Sequence, residues 1–199
     1  MRILIVTDAW KPQVNGVVRT LEKLAEVLDK AGVDTEFLSP DGFRTLPLPS
    51  YPEIRLALAT PGQIARRIES VAPDSIHIAT EGVLGILARR YCVKRGIPFT
   101  TSYHTRFPEF VSARLPIPER WSYGWLRRFH NAGKGMLVAT KSLGDEMAGR
   151  GFANIRLWSR GVDTKLFHPS RRRDLGLPGP VFLNVGRVAV EKNLPAFLD

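Results

Sequence analysis

Arg2-Ile-Leu-Ile-Val-Thr-Asp8, the amphipathic stretch Val17–Ala31 and Asp34-Thr-Glu-Phe-Leu38 decide the fold between them. The first is a short apolar run rich in β-branched residues, which suits a strand buried on both faces. In the second, Val17, Leu21, Leu24, Ala25 and Leu28 recur at three- and four-residue spacing, while Arg19, Glu22, Lys23 and Glu26 fall on the opposite side. That period is helical, with one face turned to a core. Gly32 supplies a helix stop, and the third segment resumes as a strand. Strand, helix and strand in this order make a βαβ unit with a right-handed crossover.

The same alternation continues along the chain. Apolar runs at Ile76–Ala79, Phe99–Ser102, Met136–Ala139, Ile155–Trp158 and Val181–Val185 are separated by helical patterns at Ile64–Ala72, Val83–Arg95, Glu119–Ala132 and Ser142–Arg150. Such a sequence predicts an α/β fold: a doubly wound, Rossmann-like parallel sheet with helices on both faces. The proline-rich segment Gly42–Pro52 reads as a surface loop leading to a short strand at Ile54–Ala57. Arg171–Pro180, basic and then rich in Gly and Pro, reads as a linker. After it, Val181-Phe-Leu-Asn-Val-Gly-Arg-Val-Ala-Val-Glu-Lys-Asn193 has the form of a strand opening into a phosphate-binding loop. The expected organisation is therefore one Rossmann-like domain over 1–170, a linker over 171–180, and the truncated start of a second domain over 181–199.

Composition narrows the function classes. The chain is 44% hydrophobic and carries a formal charge of +10, which suits an ordinary core and attraction to something anionic. No zinc spacing, RNA-binding aromatic signature or helix-turn-helix pattern is present, so nucleic acid is excluded as the expected partner. The amino terminus lacks a signal-peptide pattern, and no apolar run approaches the length of a membrane span. A cytoplasmic protein is expected, with any membrane attachment peripheral. Cys92, the only cysteine, lies in a helical apolar pattern and reads as a small buried side chain.

Ligands of doubly wound sheets sit beyond the carboxyl ends of the strands, so the residues that follow each apolar run are the candidates. Asn15 and Gly16 precede the first helix: Asn15 suits an N-cap, and Gly16 would let a phosphate approach the exposed backbone N–H groups. A turn plus cap would need the same dipeptide. The three-glycine dinucleotide fingerprint is absent, which disfavours NAD. His104 follows the Phe99–Ser102 run, where an imidazole could hydrogen-bond a sugar hydroxyl or serve only as a structural group. Glu81, followed by Gly82, occupies the equivalent place after Ile76–Thr80, as a sugar-binding carboxylate or a helix cap.

Taken in order, Asn15-Gly16, Glu81-Gly82, His104-Thr105, Ser159-Arg-Gly-Val-Asp163 with Phe167-His-Pro169, and Gly186-Arg-Val-Ala-Val-Glu-Lys-Asn193 resemble the retaining glycosyltransferases of family 4. The resemblance runs along the whole chain. It implies two Rossmann-like domains facing a cleft, the GT-B fold, with this chain supplying the N-terminal acceptor-binding half. It also implies that the backbone at Gly16 lies near the donor diphosphate, that His104 lies near the transferred sugar, and that Arg187 and Lys192 contact the diphosphate. Two fixed cations and backbone donors can stabilise a departing phosphate without a metal. No Asp-x-Asp metal motif is visible, and no cofactor is expected.

The acidic Glu-x7-Glu donor segment of the family has no counterpart in this sequence, so the chain by itself is expected to be inactive. The Tyr103-His-Thr105 and Ala79-Thr-Glu-Gly82 contexts look most like the mannosyl- and sulfoquinovosyl-transferring branch, with a nucleotide-diphosphate sugar as donor and a lipid or glycan as acceptor. A sugar-phosphate synthase or epimerase of the same two-domain fold is the enzyme alternative. A non-catalytic module that binds a membrane or polyanion is the other. That last idea rests on the helix ending near Lys134, where Trp121, Trp125 and Phe129 alternate with Arg127 and Arg128. Such a helix suits an anionic membrane surface, or else packs its aromatic stripe against the sheet.

Overall fold

A computed structural model describes residues 1–199 apart from 14, 49–50, 105, 107, 109–111, 113–117, 175, 187–193 and 199, together with the side chains of 48, 51–53 and 198. Arg187 and Lys192, as well as Thr105, lie outside the described residues. The chain divides into two compact units, Met1–Arg160 and Gly161–Asp199.

In the first unit, six parallel strands form one sheet in the order β2-β1-β5-β6-β7-β8. They are β1 (Arg2–Val6), β2 (Asp34–Leu38), β5 (Ser75–Ile78), β6 (Phe99–Ser102), β7 (Gly135–Val138) and β8 (Ile155–Leu157). The helices between them are α1 (Gly16–Lys30), α2 (Pro61–Val71), α3 (Val83–Arg95), α4 (Glu119–His130) and α5 (Lys141–Gly149). The doubly wound fold expected from the alternation is thus present.

Right-handed crossovers explain which face each helix covers. The chain moves from β1 to β2 in one direction, then returns past β1 and advances from β5 to β8 in the other. The reversal puts α1 on one face, where Leu21 packs with Ile5. It puts α2 and α3 on the other, where Ile64, Ile68, Leu84 and Ala88 meet Leu4, Val6, Ile76 and Ile78. Further along that second face, Tyr123 and Leu126 of α4 and Met147 of α5 enclose Met136 and Val138. Cys92 is buried there, and burial pushes its thiol up to about 11.

The segment expected as a loop supplies the first arm of a hairpin, and the strand expected at Ile54–Ala57 lies in its second. Strands β3 (Thr45–Leu48) and β4 (Tyr51–Ala57) pair antiparallel, with Thr45 opposite Ala57 and Pro47 opposite Arg55. In a two-stranded ribbon each strand has a free edge, so prolines that would break a central strand are tolerated. Val181–Val185 joins no ladder among the described residues, and Val185 is 84% exposed. A parallel strand without neighbours satisfies neither its backbone groups nor its apolar side chains. The rest of the second unit contains a short 3-10 turn at Pro169–Arg171 and the four-residue α6 (Pro195–Leu198).

The tightest joint lies where β5 turns into α3. A Cβ on Gly85 would collide with the Thr80 carbonyl oxygen, a backbone atom that cannot swing aside. Gly85→Ala is therefore expected to cost about 1–3 kcal/mol through overpacking, read as a lower urea midpoint. An unchanged midpoint would show that the joint has slack.

Candidate active site

The reversal of strand order falls between β1 and β5, and their carboxyl ends open the crevice in which a ligand of such a sheet is held. Asp8, the residue two beyond β1, ties the two strand ends together. Its backbone N–H donates to Thr80 Oγ1 at 2.7 Å, and that hydroxyl donates to Asp8 Oδ2 at 2.9 Å. The same carboxylate accepts from the backbone N–H groups of Leu84 at 2.8 Å and Gly85 at 3.3 Å. Gly82, the N-cap residue of α3, has no side chain with which to cap the helix, so Asp8 caps it from the neighbouring strand. A Cβ on Gly82 would run into that carboxylate. Burial raises the Asp8 pKa, opposed by these hydrogen bonds.

Asn15 is the N-cap of α1, its Oδ1 accepting from Val17 and Val18, both at 3.0 Å. Its capping role is structural, and it presents the first turn of α1 to the crevice. Gly16 differs from Gly82. A Cβ there would meet nothing closer than Arg160 Nη1 at 3.7 Å, an ordinary contact, and its φ is not in the left-handed region. Internal packing thus makes no demand for glycine at position 16.

His104 lies just beyond β6, with its Nδ1 3.0 Å from Arg160 Nη2 and its ring 6.0 Å from that of Trp158. Its buried Nε2 has no hydrogen-bond partner among the described residues. Desolvation, then Arg160 and His77, push the imidazole down to about 3, so it is neutral at physiological pH. Arg160 extends from the segment after β8 and joins His104 to Gly16. Sequence reasoning missed it. It stood within the quoted Ser159–Asp163 segment, but nothing in its spacing pointed 56 residues back to His104.

Glu81 faces inward from the β5–α3 turn. Its Oε1 lies 3.2 Å from Nε2 of the fully buried His130, yet neither atom has a hydrogen-bond partner of good geometry. The other nitrogen of His130 is 2.9 Å from Thr101 Oγ1. Glu81 does not cap α3, since Asp8 fills that place. His77, also missed, is bracketed by Thr100 Oγ1 at 2.8 Å and Ser102 Oγ at 2.9 Å. Burial pushes it down to about 4. Among the described residues no group of three or more His, Cys, Asp or Glu side chains could hold a metal ion.

With this geometry in place, a family model described as Glycosyltransferase Family 4 matches residues 14–166, well over half of the chain. The chain belongs to glycosyltransferase family 4. Among its relatives is a GDP-mannose-dependent alpha-mannosyltransferase of Mycobacterium tuberculosis, 28% identical over 98% of this chain and 58% of that protein. A sulfoquinovosyl transferase of Arabidopsis thaliana is 30% identical over 94% of this chain and 40% of its own length. An alpha-monoglucosyldiacylglycerol synthase of Streptococcus pneumoniae matches 56% of this chain at 27% identity. The mannosyl and sulfoquinovosyl branch is the one that the Tyr-His-Thr and Ala-Thr-Glu-Gly segments resembled. The family 4 chain spans 58% and 40% of the length of the first two relatives.

The buried neutral His77 makes stability depend on pH. Its folded pKa lies below the ordinary 6.5, so between 6.5 and about 4 the unfolded chain binds the extra proton. Its stabilising contribution is complete above 6.5 and is lost as pH falls through about 4. Urea titrations at pH 7 and pH 5 are expected to differ by on the order of 2 kcal/mol from this group. His77→Gln should remove that share; an equal pH slope in the variant would contradict the assignment.

Proposed function

We propose that the whole protein is a retaining glycosyltransferase that moves a sugar from a nucleotide-diphosphate donor to a lipid or glycan acceptor, with GDP-mannose as the donor. Residues 1–170 bind the acceptor, 171–180 form the linker, and 181–199 begin the nucleotide-sugar-binding domain. The observation that carries this reading is the pairing, through Arg160, of His104 with the open first turn of α1. A buried N–H without a partner and a helix start with room beside it suit a sugar joined to a diphosphate. Its relatives include GDP-mannose-dependent mannosyltransferases, which supports the choice of donor.

In retaining transfer the bond from the anomeric carbon to the β-phosphate oxygen breaks, the acceptor hydroxyl oxygen bonds to the same face of that carbon, and the hydroxyl proton passes to the departing phosphate. Negative charge gathers on the departing phosphate. The Gly16 backbone N–H, which the Asn15 cap does not engage, stabilises it at the positive end of α1, and Arg187 and Lys192 do so as cations. His104, held neutral, donates Nε2–H to an oxygen of the transferred sugar. Glu81, whose Oε1 has no hydrogen-bond partner of good geometry among the described residues, accepts from a sugar or acceptor hydroxyl.

A membrane-facing role for α4 is favoured by one specific observation. Tyr123, Leu126, Phe129 and His130 fill the buried side of the helix, whereas Trp121 is 67% exposed and Trp125 41% exposed. Arg127 and Arg128 are exposed as well. An aromatic pair left out of the core beside two cations suits the headgroup region of an anionic bilayer. No helix among the described residues is long and apolar enough to cross a membrane.

Two experiments test these readings. In the full-length enzyme with labelled GDP-mannose, His104→Ala is expected to lower transfer about 100-fold or more. Gly16→Ala should fold normally yet weaken donor binding. Wild-type transfer rates in both variants would remove these residues from the reaction. Sedimentation with phosphatidylglycerol vesicles at low salt should retain the chain, and Trp121→Ala/Trp125→Ala should reduce retention about tenfold. Equal sedimentation of wild type and double variant would end the membrane reading.

A further inference from the structure

Arginine carries only donors, so the ring nitrogen that faces it must be an acceptor. Arg160 Nη2 stands 3.0 Å from His104 Nδ1, and that nitrogen must therefore hold a lone pair. The single ring proton is left on Nε2, the atom that is buried and has no partner among the described residues. Arg160 has no carboxylate partner among those residues, so no ion pair competes for its guanidinium. Trp158, two residues earlier, has its ring 6.0 Å from that of His104 in a tilted contact and 6.3 Å from that of His77 edge-on.

We propose that Arg160 is a positioning residue of the transfer reaction: by donating to Nδ1 it fixes His104 as the Nε2–H tautomer and aims that one N–H at an oxygen of the bound sugar. The inference rests on the role given to His104 above. In free imidazole the two tautomers interconvert, and a histidine with its proton on Nδ1 would turn a lone pair toward the sugar. Another lone pair there would oppose a sugar oxygen and accept only from a hydroxyl, so the tautomer decides whether the ring donates or accepts. The guanidinium also makes protonation of His104 unfavourable, because a second ring N–H would point at a cation. Among the described residues, the titratable groups that act on the ring are Arg160 and His77, the latter from β5, and the neutral Trp158 lies beside it.

The test reads the tautomer directly. Long-range ¹⁵N–¹H spectra of the ¹⁵N-histidine-labelled chain should show His104 protonated on Nε2 alone. In Arg160→Ala both ring nitrogens should report partial protonation, and the imidazole should titrate at a higher pH than in wild type, still below 6.5 because burial remains. Arg160→Lys, which keeps a cationic donor, should restore the Nε2–H form at least in part. Backbone spectra of each variant establish that the fold is retained. A His104 that stays fully on Nε2 in Arg160→Ala overturns the proposal.

In the full-length enzyme, Arg160→Ala should lower kcat at least tenfold with a smaller change in KM, and should do nothing further in a His104→Ala background. An equal further loss in that background would also overturn the proposal, because Arg160 would then act independently of His104. Should His104→Ala alone leave transfer unchanged, the role of His104 fails. The tautomer spectra would still report whether Arg160 sets the proton.

Discussion

The Asp8 carboxylate is the constraint around which the crevice is built. It is a part-buried carboxyl group held by three donors, one from Thr80 and two from the first turn of α3. Removing a carboxylate from water is costly unless hydrogen bonds and a favourable dipole replace the solvent. Both replacements are present, since the carboxylate sits at the positive end of a helix. Through this one side chain, β1, β5 and α3 share a common origin. Glu81 and Gly82, which stand between Thr80 and Leu84, take their positions from it.

The polar groups near the crevice divide by charge. His104 and His77 are kept neutral by burial, with Arg160 adding to the effect at His104. Arg160 remains charged and lies beside the start of α1, where the helix dipole is also positive. Such a region favours an anion and offers a neutral hydrogen-bond donor next to it. The overall charge of +10 acts in the same direction at longer range.

Much of this was legible in the sequence because hydrophobic period reflects burial directly. Among the described residues of the first unit, helices α1–α5 and the six sheet strands lie within a few residues of where the periodicity put them. The hairpin was hidden because proline weighs against a strand, and only the ribbon's open edges excuse it. The positions of Asn15, Gly16, Glu81 and His104 beyond strand ends were legible because strand ends can be read from the apolar runs before them. Arg160 and the links from Asp8 to α3 were not, because they join residues far apart in sequence whose meeting depends on strand order. Exposure of Trp121 and Trp125 was equally invisible: the four-residue spacing that places them on one face does not say whether that face turns inward.

The missing side chain at Gly85 has a mechanical consequence. With the helix start pressed onto the Thr80 carbonyl, the end of β5 and the first turn of α3 must translate as a single lever. Neither can yield to a ligand without carrying the other. Adaptation on this side of the crevice is therefore limited to side-chain rotation.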